Sequence, residues 1–169
     1  IMEISTDADK EYYEANGSSV SATNANIKGL LNSVEEIYAN QLGISLKIKK
    51  QNVFTGNGQP YKSTDILALL RSFQEHTNSA SHLGKADVFH LFTAKKISGS
   101  VAGVALIGTV CKTGSNFGLS RNVYAPFHPL VIAHELGHNL GAQHDEETLS
   151  IMSPAVQPDH PSFSKSSKK

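Results

Sequence analysis

The chain carries a single cysteine, Cys111, in 169 residues. One thiol cannot close an internal disulfide, which excludes a disulfide-stapled scaffold without settling the compartment. An imbalance of charge is also missing. Lys plus Arg and Asp plus Glu number 15 each, so no net field recommends nucleic acid or an anionic membrane surface as a partner. No apolar run approaches the roughly 20 residues of a membrane span, and membrane insertion is not expected. The start, Ile1-Met2-Glu3-Ile4-Ser5, lacks the charged beginning and apolar stretch of a signal peptide, which leaves a cytosolic chain or one whose leader has been removed. Internal repeats are absent, and the one biased segment is the Ser/Lys-rich end, Ser164 to Lys169.

What is present suits one compact domain with one active cleft. Ile1 to Ser5 alternate as a first strand, and the polar stretch from Thr6 to Ser19 reads as a loop with at most a helical turn. Ile27, Leu30, Leu31, Val34, Ile37, Tyr38 and Leu42 recur at three- and four-residue spacing with Gly43 at the terminator position, which predicts a long amphipathic helix. Ile44, Leu46 and Ile48 alternate with polar residues as a second strand. Ser63 or Thr64 is positioned to cap a helix with a stripe at Ile66, Leu69, Leu70 and Phe73. Asp87 to Thr93 is apolar on both faces, as a central strand would be, and Val101 to Val110 reads as an edge or bulged strand. Gly114 to Asn122 reads as loop and short strand, and a helix is expected to start near Pro129.

The chemistry is concentrated in His134-Glu135-Leu136-Gly137-His138-Asn139-Leu140-Gly141-Ala142-Gln143-His144-Asp145. At about 100° per residue, His134 and His138 lie only about 40° apart around a helix and one turn apart along it, so both imidazoles reach one ion. Glu135 flanks the same face, where a general base belongs. In an unbroken helix His144 would sit roughly 240° around from His138 and face away. The helix must therefore break, and Gly141 supplies a residue that enters the left-handed conformation without side-chain penalty. Three neutral imidazoles leave the fourth tetrahedral position of a zinc ion open to water, the arrangement of a catalytic site. Such an ion lowers the pKa of its water toward about 7, and Glu135 is the candidate to take the proton and pass it to the leaving nitrogen. The short His-Glu-x-x-His core alone also occurs on solvated helix faces; Gly141 and His144 at the required places make it specific.

This string resembles the metzincin zinc peptidases, whose two histidines, glycine and third histidine are followed by a methionine-containing turn. Met152, in Ser150-Ile151-Met152-Ser153-Pro154, suits that turn. Asp145 directly after the third histidine, with the Ile-Met element, is similar to the adamalysin (reprolysin) branch. Further upstream, Met2 to Ile4 resembles the family's first strand, Asp87 to Thr93 its central strand, and Leu106 to Cys111 the edge strand that pairs with substrate. The resemblance implies an α+β metzincin-type catalytic domain over residues 1–169. A twisted mixed β-sheet with long helices would occupy an N-terminal subdomain of about 1–141, and a small irregular C-terminal subdomain about 142–169. It further implies Met152 as an apolar floor beneath the metal, Asp145 as an anchor of the turn, Ile107 and Gly108 as backbone partners of an extended peptide, and Pro154, Ala155 and Val156 as a pocket wall. Glu3 and Asp87 match positions of a family calcium site whose other ligands cannot be matched near the C-terminus here, so calcium binding is expected to be weak or absent. The chain departs from the family in having one cysteine and only a short segment between Asp145 and Met152. No tyrosine follows Met152 to act as an additional ligand.

His76, His82, His90, His128 and His160 have no ligand spacing and read as ordinary surface or core residues, with His128, near the expected helix, as the candidate exception, and Cys111 reads as an inert buried cysteine. Gly114-Ser115-Asn116-Phe117-Gly118 lacks the register of a phosphate loop. The expected function is zinc-dependent hydrolysis of internal peptide bonds in protein substrates, by a monomer acting outside the cell. An inactive or specialised zinc-binding module and an exopeptidase stay as alternatives. The presence of Glu135 argues against the first, and the lack of a recognisable charged group to hold a chain end argues against the second.

Overall fold

Residues 88–93 have no polar face to turn toward solvent, and the strand they form, β3 (Val88–Thr93), is buried along its whole length. The computed structural model describes residues 1–146, 149–159 and 161–168. In it β3 lies at the centre of a five-stranded sheet with β1 (Met2–Ala8), β2 (Leu46–Val53), β4 (Gly103–Ala105) and β5 (Phe117–Arg121), in the order β2-β1-β3-β5-β4. Four strands run parallel; β4 pairs antiparallel with β5 at one edge. The sheet is mixed, and helices cover both of its faces as a two-sided apolar β3 demands. Helices α2 (Val20–Leu42) and α4 (His128–Leu140) share a core with Ile4, Val88 and Phe92, while α3 (Ile66–Ala80) covers Phe89, Leu91, Phe117 and Leu119 on the opposite face. Among the described residues no helix is long and apolar enough to cross a membrane.

Local signals set most boundaries. The α2 stripe Ile27, Leu31, Val34 and Tyr38 is buried as its spacing predicts. The helix ends where Gly43, at φ 65°, donates its N–H to Ala39 and Tyr38 carbonyls. It begins earlier than the stripe, at Val20, because the Ser19 hydroxyl accepts the Ala22 N–H and caps the first turn. The cap of α3 is Asp65 rather than Ser63 or Thr64. Its carboxylate accepts the Ala68 N–H, and the Ser63 hydroxyl accepts the Asp65 N–H instead.

Two expectations are corrected. The stretch Thr6 to Ser19 is not a loop: β1 continues to Ala8, and α1 (Lys10–Ala15) follows. Asp7 and Asp9 are buried in it because partners distant in sequence satisfy them. Asp7 accepts hydrogen bonds from Tyr61, His82 and Asn52, and Asp9 caps α1 through the Tyr12 N–H while accepting from the Thr93 hydroxyl. The strand expected over Val101 to Val110 shrinks to Gly103–Ala105. Beyond Leu106 the chain turns away, with Gly108 at φ 64°, and gives its donors to a helix end. Gly108 N–H bonds the His138 carbonyl at 2.8 Å, and Thr109 and Val110 both bond that of Asn139, at 2.8 and 2.9 Å. The carbonyls at a helix C-terminus lack intrahelical partners, so a chain passing there is drawn out of strand pairing.

His90 and His128 fill the space between β3 and α4, 0% and 3% exposed. His90 meets the Ser120 hydroxyl at 3.0 Å, and His128 packs between Tyr12 and Phe92 with Nε2 unpartnered among the described residues. Burial pushes the His90 imidazole down to about 3, helped by the adjacent His128, and pushes His128 down to about 4. Both are therefore neutral in the folded chain, whereas the unfolded chain takes up their protons below about pH 6.5. The unfolded state binds more protons in that range, so stability falls as pH drops from about 6.5 toward about 4. Replacement His128→Phe fills the same aromatic site without a titrating nitrogen. In chelator-treated protein it should flatten the acid-side fall by up to about 1.4 kcal/mol per pH unit. Denaturant melts at pH 7, 6 and 5 measure this, and an unchanged slope rules out a buried neutral His128.

Candidate metal centre

Helix α4 is buried at every position from Leu130 to Asn139, so its functional side chains stand on a rigid support. Pro129 opens the first turn, and the helix stops at Gly141, at φ 113°, whose N–H bonds the Gly137 and His138 carbonyls. The break turns the chain back so that His144 faces the two helix histidines. His134 Nε2 lies 3.2 Å and His138 Nε2 lies 3.3 Å from His144 Nε2. The opposite nitrogens are engaged: His134 Nδ1–H donates to the Ile151 carbonyl at 2.6 Å and His138 Nδ1–H to the Ala142 carbonyl at 2.8 Å. Both rings thus present bare Nε2 lone pairs. Burial holds the His134 imidazole down to about 4 and lowers His138 as well, which keeps both neutral.

With His144 Nε2 beside them, these two lone pairs form a set of three donors able to converge on one cation. Tetrahedral zinc with nitrogen ligands at 2.0–2.1 Å sets neighbouring nitrogens about 3.3–3.4 Å apart, which fits these separations. Carbonyl partners on the outer nitrogens orient the rings and raise their basicity, as ligating histidines require. His134, His138 and His144 are the one set of three or more metal-ligating side chains brought together among the described residues. Beneath them Met152 is fully buried, and it reaches the helix because Gly137 has no side chain: a β-carbon there would lie 2.5 Å from Met152 Sδ. Asp145 secures the return. Its N–H bonds the Met152 carbonyl at 2.9 Å, and its carboxylate accepts from the Ser150, Ser166 and Ser167 hydroxyls.

Glu135 is 4% exposed, and its Oε2 has no hydrogen-bonding partner among the described residues. Burial alone raises the carboxyl to about 8, and a dication at the histidine triad opposes that shift. The cleft in front of it has a volume of about 920 Å³. It is lined by strand β4 and Ile107, by Pro154, Ala155 and Val156, and by the apolar side chains of Tyr124, Phe127 and Val131. Of the expected peptide partners, Ile107 is at the cleft, but neither it nor Gly108 belongs to a strand, and the Gly108 N–H is engaged by the His138 carbonyl. The free edge next to Glu135 is β4 itself. The lining residues Val123, Tyr124 and Phe127 carry no sequence signal beyond a loop that contains Pro126. Asn139 lay inside the motif without a role; its amide donates to the Leu106 and Phe117 carbonyls and the Thr109 hydroxyl, fastening α4 to the β4–β5 hairpin.

Glu3 and Asp87 do approach each other. The Glu3 N–H donates to Asp87 Oδ2 at 2.8 Å, and the Cys111 thiol, exposed rather than buried as expected, to Asp87 Oδ1 at 3.4 Å. The Glu3 carboxylate, however, pairs with Lys49 and, at 3.6 Å, with Lys47, and the Lys49 contact lowers its pKa. Of the other histidines, His76 and His82 pack with tilted rings 4.7 Å apart beside Asp7, far along the sequence from the triad; His160 lies outside the described residues.

The family model of metallo-peptidase family M12, reprolysin type, matches residues 2–164. Disintegrin and metalloproteinase domain-containing protein 22 of Mus musculus is 26% identical over 132 residues, covering 78% of this chain and 14% of its own length. Zinc metalloproteinase recombinant fibrinogenase II of Deinagkistrodon acutus is 33% identical over 88 residues, 47% of this chain and 37% of its own. The chain thus spans well under half the length of these curated relatives. A chain in the solved structure of a chaperone-substrate complex overlays with a TM-score of 0.67 at 14% identity, covering 96% of this chain and 30% of that one, a likeness of fold.

The purified protein is expected to hold about one zinc, and His144→Ala to lose most of it, since a three-histidine site cannot spare a ligand. Full zinc in that variant by elemental analysis would remove His144 from the ligand set. Millimolar calcium is expected to leave the melting temperature unchanged because lysines already neutralise Glu3. A calcium-dependent rise that disappears in Asp87→Asn would establish a site there.

Proposed function

Since the chain belongs to metallo-peptidase family M12, in its adamalysin/reprolysin-like metzincin branch, we propose that it is a zinc-dependent endopeptidase that hydrolyses internal peptide bonds of protein substrates. The observation that carries this reading is the convergence of three imidazole nitrogens beside a buried carboxylate whose Oε2 has no partner among the described residues, at the wall of a cleft. His134, His138 and His144 hold the metal, which when bound supplies a Lewis acid that polarises the scissile carbonyl and makes water nucleophilic near neutral pH.

The rest is done by the chain. An extended substrate segment lies along the open edge of β4, where backbone pairing gives affinity with little sequence preference. Pro154, Ala155 and Val156 face it across the cleft as the wall of a side-chain pocket, with Ile107 at its border. Glu135 Oε2 takes a proton from the attacking water and delivers it to the leaving nitrogen, so that one water is consumed for each C–N bond broken. Exclusion of solvent from this carboxylate strengthens its interaction with the charge that develops beside it. A protein with this activity is suited to act outside the cell, where its own cytoplasm is not a substrate.

Glu135→Gln should retain zinc and melt near the wild-type temperature while turnover falls on the order of 10²-fold or more. Digestion of a mixed peptide library with and without chelator, read by mass spectrometry, tests the reaction class. Internal cleavages that vanish with chelator support an endopeptidase, removal of terminal residues only points to an exopeptidase, and an undigested library with zinc bound points to a binding module.

A further inference from the structure

We propose that Gly103 is a positioning residue for the general base: it is the wall against which the Glu135 carboxylate rests, and its missing side chain is the space the carboxylate occupies. The proposal rests on the reading of Glu135 as base. A β-carbon built at Gly103 would stand 2.6 Å from Glu135 Oε1, 2.8 Å from Cγ and 2.9 Å from Cδ. Three atoms of one side chain would be overlapped at once, well inside van der Waals contact. The backbone itself does not call for glycine, because Gly103 is not among the residues with positive φ. Glycine within a strand commonly marks a close approach by another group, and here the group is the base.

Neither wall can retreat. Gly103 pairs with Ser120 in β5, and the adjacent Ala102 carbonyl accepts the Arg121 N–H at 2.9 Å. Ser120 is itself buried and held by His90. From the other side Asn139 bonds the Leu106 and Phe117 carbonyls of the same hairpin, at 3.0 and 3.1 Å, which fixes the distance from α4 to β4. A side chain at position 103 therefore displaces the carboxylate rather than the strand. The sheet edge that would align substrate and the seat of the base are one piece of backbone.

Gly103→Ala is the test, with kcat and KM on a cleaved peptide, zinc content and thermal melting read together. We expect about one zinc, KM within about twofold, and kcat lowered by about 10²-fold, the scale of an ångström-sized misplacement of a reacting group. Glu135→Asp shortens the carboxylate by one methylene and should lower kcat in the parent protein. In the Gly103→Ala background it should instead recover activity, about tenfold above Gly103→Ala alone, a compensation that a merely structural glycine would not show. Wild-type kcat in Gly103→Ala, or losses in the double variant that simply multiply, would overturn the proposal. If Gly103→Ala does not fold, the double variant must fold and bind zinc, and its failure to do so also overturns it. Undiminished turnover in Glu135→Gln would instead remove the base itself, so the two failures are distinguishable.

Discussion

His134 and His138 present their Nε2 atoms to His144 Nε2 at 3.2 and 3.3 Å, and two backbone carbonyls keep the protons of these two helix histidines on the opposite nitrogens. Ile151 and Ala142 accept the Nδ1 protons of His134 and His138 and thereby fix tautomer and ring plane together. Each carbonyl has its own cause. That of Ala142 is available because Gly141 ends the helix one residue earlier. That of Ile151 is in place because Ser150 and Ser153 tie the methionine turn and Asp145 bonds the Met152 carbonyl. A glycine break and an irregular turn, which look unrelated, thus serve one requirement of the donor set.

The helix that carries these residues is fastened at several points along its length. The Tyr38 hydroxyl of α2 donates to the Ala133 carbonyl at 2.8 Å, one residue before the first histidine. At the other end the carbonyls of His138, which also accepts from Gly141, and of Asn139 collect the N–H groups of Gly108, Thr109 and Val110. The loop after β4 therefore satisfies a helix terminus, and in doing so it aligns the upper wall of the cleft with the metal ligands. Loss of a carbonyl partner there would disturb both elements at once.

Much of this was legible in the sequence because its causes are local. Helical spacing located α2, α3 and α4, two-faced apolarity located the central strand, and the distance from His138 to His144 required the break at Gly141. What was not legible depends on partners far away. Asp7 and Asp9 look like loop residues until Tyr61, His82 and Thr93 are brought to them by the sheet. Residues Leu106 to Val110 have the composition of a strand, yet their donors go to a helix end that no local pattern reveals. The role of Asn139 was hidden for the same reason, since its three acceptors lie on a different element.

The ligands are held in two different ways, and this sets where order is weakest. His134 and Glu135 stand on a helix buried on all sides, so their positions are secured by the core itself. His144 is exposed and belongs to a segment that, among its described residues, has neither helix nor strand. It is held through its neighbour Asp145, whose carboxylate gathers serine hydroxyls from the methionine turn and from the C-terminal end. Phe163, packed edge-on against Tyr38 at 5.3 Å, is the apolar contact that brings that end within reach. Side-chain hydrogen bonds near solvent contribute less than buried packing, so His144 is restrained less firmly than the two helix histidines. A metal bridging His144 to the helix would restrain the one ligand the fold itself holds least firmly, and metal affinity and the placement of His144 are two expressions of the same free energy.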